Sequence, residues 1–259
     1  ITLKNNLRGP NTDGIDVDCS KNVHISDCHI AAGDDCIALK SSVEFFGYDN
    51  RACENVVVSN CTLISPCNAI RLGYEGDGPI RNCTFNNIII PESRTGINIL
   101  VPTHPEYGIH HGPAIENVLF SNMIMDVKKA FFLWTGDKAS SPASLRRIRF
   151  DNIIASANRA NFIGGSASVP AEEIHFSRVH MSMFGEMKDD FNGVAPDPYG
   201  VFGYWTKSGL PYAFYVRNAK KVSFSDVTID WKRATGKWRE ALKVEKSEDV
   251  IGSLNPKTK

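Results

Sequence analysis

The sequence predicts an all-β solenoid, a parallel β-helix in which one chain winds through successive coils. Three observations predict it: a nine-residue strand pattern that recurs along the chain, a shorter strand pattern that precedes most of its copies, and an almost complete lack of helical periodicity. Because the two patterns recur together at variable spacing, we expect coils of two or three short strands joined by tight turns.

The nine-residue pattern alternates apolar and polar residues and then has Asp, Asn or Arg at its sixth position. This is typical of a strand that turns sharply into another strand. Such a unit cannot bury its apolar face alone, so neighbouring copies must stack. The copies are NVHISDCHI from Asn22, NVVVSNCTL from Asn55, NCTFNNIII from Asn82, NVLFSNMIM from Asn117, RIRFDNIIA from Arg147, EIHFSRVHM from Glu173 and KVSFSDVTI from Lys221.

In the shorter pattern, every second residue has the parity of a core residue, so the residues between must point outward. We expect a first outward column of small residues, which either forms a floor on which a chain molecule can lie or merely suits a crowded strand start. The predicted core residues are Ile15, Val17, Ile37, Leu39, Ile70, Leu72, Ile97 and Ile99. The first outward column is Gly14, Cys36, Ala69, Gly96 and Ala130, and the second is Asp16, Ala38, Arg71, Asn98 and Phe132.

The 259 residues can bury a sizeable core, and no Pro/Gly/Ser-rich stretch or charge run divides them, so we expect one domain over residues 1–259. Twenty-nine basic and 29 acidic residues give zero net charge, which provides no global attraction to nucleic acid or a membrane surface. No apolar stretch approaches the roughly 20 residues of a membrane-spanning helix. Neither nucleic acid nor a membrane is therefore an expected partner, and the oligomeric state is left open.

Seven cysteines lie in the first third of the chain, without the paired spacing of a zinc site. An odd number leaves at least one thiol unpaired within the chain. We expect small buried hydrophobic residues, with one or two disulfides at most. They are Cys19, Cys28, Cys36, Cys53, Cys61, Cys67 and Cys83.

Three carboxylates stand where the shorter pattern begins. Asp13 and Asp35 occupy equivalent positions on successive coils, and Asp34 is adjacent. Stacked strands lie about 4.8 Å apart, so mutual repulsion should raise at least one pKa. A carboxyl group that stays protonated can act as a general acid while its neighbours act as bases, as glycoside hydrolysis requires. Two alternatives remain open here: ordinary turn residues, or ligands of a divalent cation such as calcium.

The motif Asn11-Thr-Asp-Gly-Ile-Asp, followed by Gly33-Asp-Asp-Cys-Ile-Ala, resembles glycoside hydrolase family 28, the polygalacturonase family. Either motif alone is a weak signal, but both together inside repeating strands are specific. The resemblance implies a single-stranded right-handed parallel β-helix, pectin-type polysaccharide or oligosaccharide substrates, an inverting single displacement and no cofactor or metal. By position it implies that Asp34 is the general acid, and that Asp13 and Asp35 hold and activate the water.

The next two coils depart from the family pattern. The family usually has Gly-His-Gly where this chain has Asn68, and an Arg-Ile-Lys motif that grips a galacturonate carboxylate where it has Asn98 and Leu100. Because Asn cannot replace the bidentate, charge-assisted contacts of Arg, we expect non-standard specificity. Lys40 and Arg71 have outward parity, and either bind a substrate carboxylate in another register or neutralise the aspartates. The predicted substrate-binding residues are Asp16, Lys40, Asn68, Arg71 and Asn98.

Loops supply further candidates for the cleft. One loop could fold a histidine over it in place of the missing family histidine, and two loops carry aromatic residues on which sugar rings could stack. The segment 191–215, rich in Gly, Pro and aromatic residues, has no assigned role. The histidines are His104, His110 and His111, and the aromatic residues are Phe45, Phe46, Tyr48 and Tyr74.

Family members usually have further coils and a cap before the first aspartate motif, where this chain has residues 1–10, so we expect it to lack N-terminal coils and their cap. No signal peptide is visible, but the resemblance implies a secreted or periplasmic protein. Two other functions stay open. One is a non-catalytic polysaccharide-binding β-helix, which the missing His and Arg/Lys favour. The other is a polysaccharide lyase, which needs a cation site and a base such as Arg71 or Lys40.

Overall fold

The structure is a computed structural model and describes residues 1–42, 51–187, 210–252 and 254–257. Its strands form one 17-stranded sheet, and the strand pairings are parallel. The predicted all-β parallel β-helix is confirmed. The strands are β1 (Thr2–Lys4), β2 (Ile15–Asp18), β3 (His24–Ser26), β4 (His29–Ala31), β5 (Ile37–Ser41), β6 (Cys53–Glu54), β7 (Val57–Gly76), β8 (Pro79–Val101), β9 (Ala114–Thr135), β10 (Ser144–Ala157), β11 (Asn161–Gly164), β12 (Ala171–Met187), β13 (Tyr212–Arg217), β14 (Ala219–Gly236), β15 (Glu240–Glu245), β16 (Glu248–Ile251) and β17 (Leu254–Lys257).

Within the residues that the structure describes, helical structure is confined to a 3-10 turn at Pro105–Tyr107. Among the described residues, no helix has the length and apolar character needed to cross a membrane.

The sharp turns of each coil come from residues in the left-handed backbone region. The predicted turn at the sixth position of the nine-residue pattern is confirmed, with φ between 52° and 56° in all seven copies. The first position is left-handed as well, with φ between 53° and 58°. Asn and Asp tolerate this region better than other non-glycine residues, because their short side chains hydrogen-bond locally. The asparagine amides also link successive coils. For example, Asn87 Nδ2 donates to Asn60 Oδ1 at 2.7 Å.

The core contains a column of phenylalanines from the fourth position of the nine-residue pattern. Their rings stack face to face, and successive centroids are 4.8, 5.2, 4.7 and 5.2 Å apart. Each ring thus follows the strand spacing, and each stacked pair contributes about 0.5–1.5 kcal/mol beyond its burial. The column is Phe85, Phe120, Phe150, Phe176 and Phe224.

The strands of the shorter pattern stack in the expected register. Ile37 pairs with Ile15 on one side and with Ile70 on the other. The predicted core residues are buried, except that Ile15 is partly exposed and packs against the core. The second outward column is also confirmed, because Asn98 pairs with Phe132 and the latter belongs to an apolar cluster separate from the core.

The prediction that the first column of small residues points outward is wrong. Cys36, Ala69 and Ala130 are fully buried members of the core, and a Cβ on Gly96 would meet the Met125 sulfur at 2.7 Å. Cys36 lies just before β5 begins, and the pairing register shifts shortly before Ala69 and Gly96, so strict alternation is not maintained at these positions. The small residues therefore suit a crowded turn and do not form an outer floor.

The cysteines agree with the expectation of small buried residues, and no disulfide joins them. All seven lie in described segments and are free thiols, five of them buried, while Cys19 and Cys67 are partly exposed.

Candidate active site

The site is built where two turns of successive coils lie side by side. Gly14 donates its backbone N–H to the carbonyl of Asp35 at 2.8 Å, which places Asp13 and Asp35 at the equivalent positions expected from the sequence. Gly33 is required in the second turn, because a Cβ there would meet Asn6 O at 2.2 Å and Thr12 Oγ1 at 2.3 Å. The turns therefore bring the acidic residues together and hold them close.

Asp35 is the buried carboxylate of the site, with a side chain that is 0% exposed. Its Oδ1 atom accepts a hydrogen bond from Asn68 Nδ2 at 2.7 Å. Its Oδ2 atom lies 2.6 Å from Arg71 Nε, in an ion pair that is not aligned as a hydrogen bond. Burial raises the pKa of Asp35 to about 6, although Arg71 and the Asn68 hydrogen bond both lower it. Asp35 can therefore gain and lose a proton near neutral pH.

Asp13 is partly buried on the neighbouring coil. Lys40 Nζ lies 3.4 Å from its Oδ2 atom, and its Oδ1 atom is buried without a hydrogen-bond partner among the described residues. Burial and the nearby Asp16 raise the pKa of Asp13, and Lys40 opposes them.

Asp34 lies beside a cysteine that sequence reasoning did not single out. Ligand atoms of Asp34, Asp35 and Cys67 lie within 4.8 Å of one another. This donor set suits calcium poorly, because calcium takes oxygen ligands. Burial also raises the pKa of Cys67 strongly, which favours the neutral thiol over a thiolate ligand. The geometry therefore gives the divalent-cation interpretation little support.

Lys40 is surrounded by carboxylates. Its ammonium lies 2.6 Å from Asp16, 3.4 Å from Asp13 and 3.7 Å from Glu75. This arrangement matches the second of the two roles expected for Lys40, which was to neutralise the aspartates.

Glu75 is a site residue that the sequence analysis missed. Leu72 pairs with Leu39, but the next pairing of the two strands joins Gly76 to Ser41, so β7 has extra residues in a bulge. Left-handed conformations at Gly73 and Gly76, with φ of 79° and 86°, turn the chain back. Glu75 thereby reaches Arg71, whose Nη2 donates to its two oxygens at 3.1 and 3.0 Å. The two closely spaced glycines were the available signal.

Asn98 extends the site by one coil. Its Nδ2 atom donates to Asn68 Oδ1 at 3.0 Å, so the two amides and Asp35 form a hydrogen-bonded chain. The Asn98 Oδ1 atom is buried and has no hydrogen-bond partner among the described residues. The structure thus links Asn68 directly to the carboxylate cluster, and Asn98 through Asn68.

The candidate loop residues are placed unequally. Tyr74 lies over the Arg71 guanidinium, 5.1 Å from ring centroid to Cζ, and the His104 ring lies 6.0 Å from the Tyr74 ring. His110 and His111 instead donate their backbone N–H groups to the Asp77 carboxylate. The candidate aromatics in 43–50, Phe45, Phe46 and Tyr48, lie outside the described residues, as do residues 191–209 of the late segment.

The described part of the site holds more acidic than basic groups. Burial is the main cause of the raised pKa values of Asp13 and Asp35, and repulsion from neighbouring carboxylates adds to it. The cluster can therefore supply both a general acid and a general base. The acidic groups are Asp13, Asp16, Asp34, Asp35 and Glu75, and the basic groups are Lys40 and Arg71.

Comparison with known protein families gives a match to the model of glycosyl hydrolases family 28 over residues 1–196. A probable polygalacturonase of Vitis vinifera is 35% identical over 142 residues, which cover 54% of this chain and 28% of that protein. A polygalacturonase of Nicotiana tabacum is 24% identical over 192 residues, which cover 68% of this chain and 44% of that protein. The chain thus spans less than half the length of these relatives.

Comparison with solved structures gives the same fold. The family 28 exopolygalacturonase of Yersinia enterocolitica superposes with a TM-score of 0.72 at 15% sequence identity, covering 96% of this chain and 40% of that one.

Proposed function

The chain belongs to family 28 of the glycosyl hydrolases, and from this premise we propose that it hydrolyses a glycosidic bond in a pectin-like or related acidic polysaccharide or oligosaccharide. The observation that carries the proposal is the cluster of Asp13, Asp34 and Asp35. Three carboxyl groups on adjacent turns, with raised pKa values at Asp13 and Asp35, can divide acid and base roles between them.

In the proposed mechanism, Asp34 donates a proton to the leaving oxygen as the glycosidic bond breaks. Asp13 and Asp35 hold a water molecule, and one of them takes its proton as the water oxygen bonds to the anomeric carbon. Asp13 Oδ1 and Asp35 Oδ2 support this role, because they make no hydrogen bond within the described residues and could accept the two protons of a water. Both atoms are buried, so the carboxylates must turn toward the cleft to admit it. A single displacement by water inverts the anomeric configuration, and no residue is bonded covalently to the sugar.

Substrate recognition is proposed to involve Asp16, Lys40, Asn68, Arg71 and Asn98. The two cations already contact carboxylates, so their first effect is to balance the cluster. Asn98 is a neutral and almost fully buried amide, which cannot provide the bidentate, charge-assisted grip of an arginine on a carboxylate. This supports subsites that differ from those of an ordinary polygalacturonase. No step of the mechanism calls for a cofactor.

The proposed substrate bears on where the protein acts. A polysaccharide is too large to cross a membrane intact, so an enzyme that cleaves it must meet it outside the cytoplasm. We therefore propose a secreted or periplasmic location.

The direct test is Asp34→Asn, which should abolish cleavage while thermal unfolding and circular dichroism stay unchanged. Full activity in this variant would refute the role of Asp34.

The second candidate function is a non-catalytic polysaccharide-binding β-helix. It is favoured by Asn68 and Asn98, which stand at the places of the family His and Arg. Binding of a pectic polymer without release of reducing ends would establish it.

A further inference from the structure

Arg71 lies between two carboxylates that belong to different parts of the site. Its Nε atom is 2.6 Å from Asp35 Oδ2, and its Nη2 atom donates to both oxygens of Glu75. The ring of Tyr74 covers its guanidinium face. Contacts on three sides therefore hold the guanidinium in one orientation.

This orientation favours Glu75 over Asp35. The two bonds to Glu75 are aligned, whereas Arg71 Nε and Asp35 Oδ2 are buried and make no aligned hydrogen bond within the described residues. An arginine that meets one carboxylate alone tends to form two parallel N–H···O bonds with it. Glu75 thus competes with Asp35 for the guanidinium, and Asp35 Oδ2 keeps a lone pair that can accept a proton.

We propose that Glu75 is a positioning residue, which occupies Arg71 Nη2, prevents Arg71 from forming an aligned bidentate pair with Asp35 and so keeps Asp35 able to act as a base. The inference rests on the proposed function only in the role that it gives to Asp35. The competition between the two carboxylates for Arg71 does not depend on which substrate is cleaved.

The surrounding charges predict the direction of the effect. Arg71 lowers the pKa of Asp35, while Asp34 and Asp13 raise it. Lys40 contacts Asp13 and Glu75. Glu75→Gln would remove one of the two carboxylates that Arg71 contacts and free its Nη2 atom to align with Asp35. The pKa of Asp35 should then fall by about one unit, the size expected when one charge is removed from a partly buried site.

The test is a ¹³C NMR titration of the Asp35 carboxyl group in the full chain without substrate, assigned with Asp35→Asn. We expect the Asp35 pKa to be lower by about one unit in Glu75→Gln. Glu92→Gln removes the same charge from an exposed side chain of β8 and should leave the titration unchanged. In an Arg71→Met background, Glu75→Gln should lower the pKa by much less, because only the direct repulsion between the two carboxylates is then removed and no guanidinium is released.

Steady-state kinetics of the Glu75→Gln variant provide a second test. In Glu75→Gln, kcat should fall by up to about 10-fold with little change in KM, because a less basic carboxylate accepts the proton of water less readily. The acid limb of its pH profile should move to lower pH. An unchanged Asp35 titration in Glu75→Gln, or an equal shift in Glu92→Gln, would overturn the inference. Since the titration uses no substrate, it is decided separately from the activity of Asp34→Asn, which tests the proposed function.

Discussion

Asn68 occupies the position where the family usually has histidine. Its Nδ2 atom donates a hydrogen bond to Asp35 Oδ1, with 2.7 Å between the two atoms. A hydrogen bond to the charged form of a carboxylate lowers its pKa. Asn68 therefore helps to keep Asp35 ionised against the effect of burial, and it does so without a charge of its own.

Removing this bond gives the first prediction. Asn68→Ala should raise the pKa of Asp35 above about 6, and so move the acid limb of the kcat pH profile to higher pH. Measuring kcat between pH 4 and 8 checks it. Asn86→Ala, which removes an exposed amide bonded to Ser121, is the matched control and should leave the profile unchanged. A shift to lower pH in Asn68→Ala would contradict the account.

The raised pKa of Asp35 has a consequence for stability. Its pKa is about 6 in the folded state and about 3.9 in an unfolded chain, so between these values the folded state binds more protons. Stability should therefore fall as pH rises from about 4 to about 6, by up to ~3 kcal/mol from this group. Asp35→Asn should remove this pH dependence, because an asparagine side chain does not titrate.

Urea unfolding at pH 4, 5, 6 and 7 measures that effect. Asp77→Asn serves as a comparison, because it removes a carboxylate of a different loop. A difference between Asp35→Asn and wild type that stays constant from pH 4 to pH 7 would show that burial of the Asp35 charge costs no stability.

The phenylalanine column predicts a large loss on truncation. Phe150 is fully buried and stacks on Phe120 and Phe176, so Phe150→Ala should lower the free energy of unfolding by about 3–5 kcal/mol. Chemical denaturation measures the loss. Leu119→Ala changes an exposed neighbouring position of β9 and should cost far less. A loss below about 1 kcal/mol in Phe150→Ala would mean that the column is not a continuous core.

The left-handed turn residues predict a dependence on the type of substitution. Asn122 has φ of 54°, and its Oδ1 atom accepts a hydrogen bond from Asn152. Asn122→Ala should cost about 1–2 kcal/mol, because alanine is strained in this region, whereas Asn122→Gly should lose mainly the hydrogen bond. Thermal unfolding of the two variants compares them, and equal losses would count against strain as the cause.

Much of the fold could be predicted because stacking leaves a repeating record in the sequence. Residues such as Phe85 and Phe120 lie in the same place of consecutive coils, and the turn residues Asn87 and Asn122 recur with them. The column through Cys36 and its small neighbours was placed on the wrong side, because strict strand parity was assumed where a strand has not yet begun or where the pairing register has just shifted.

The candidate site was predictable only in part. Asp13, Asp34 and Asp35 were found because the turn repeats on successive coils, and their proximity follows from the strand spacing. Glu75 was missed because a bulge breaks the register after Leu72, and periodicity carries no information on where an interrupted chain turns.

The measurement that tests the central claim most directly is product analysis by mass spectrometry, with the wild-type protein and Asp34→Asn, on a panel of polygalacturonate, rhamnogalacturonan and their oligomers. Products that carry one added water from the wild-type protein, and none from Asp34→Asn, are the expected result. Unsaturated products would contradict it and indicate a lyase, and hydrolysis that persists in Asp34→Asn would show that the acid lies elsewhere.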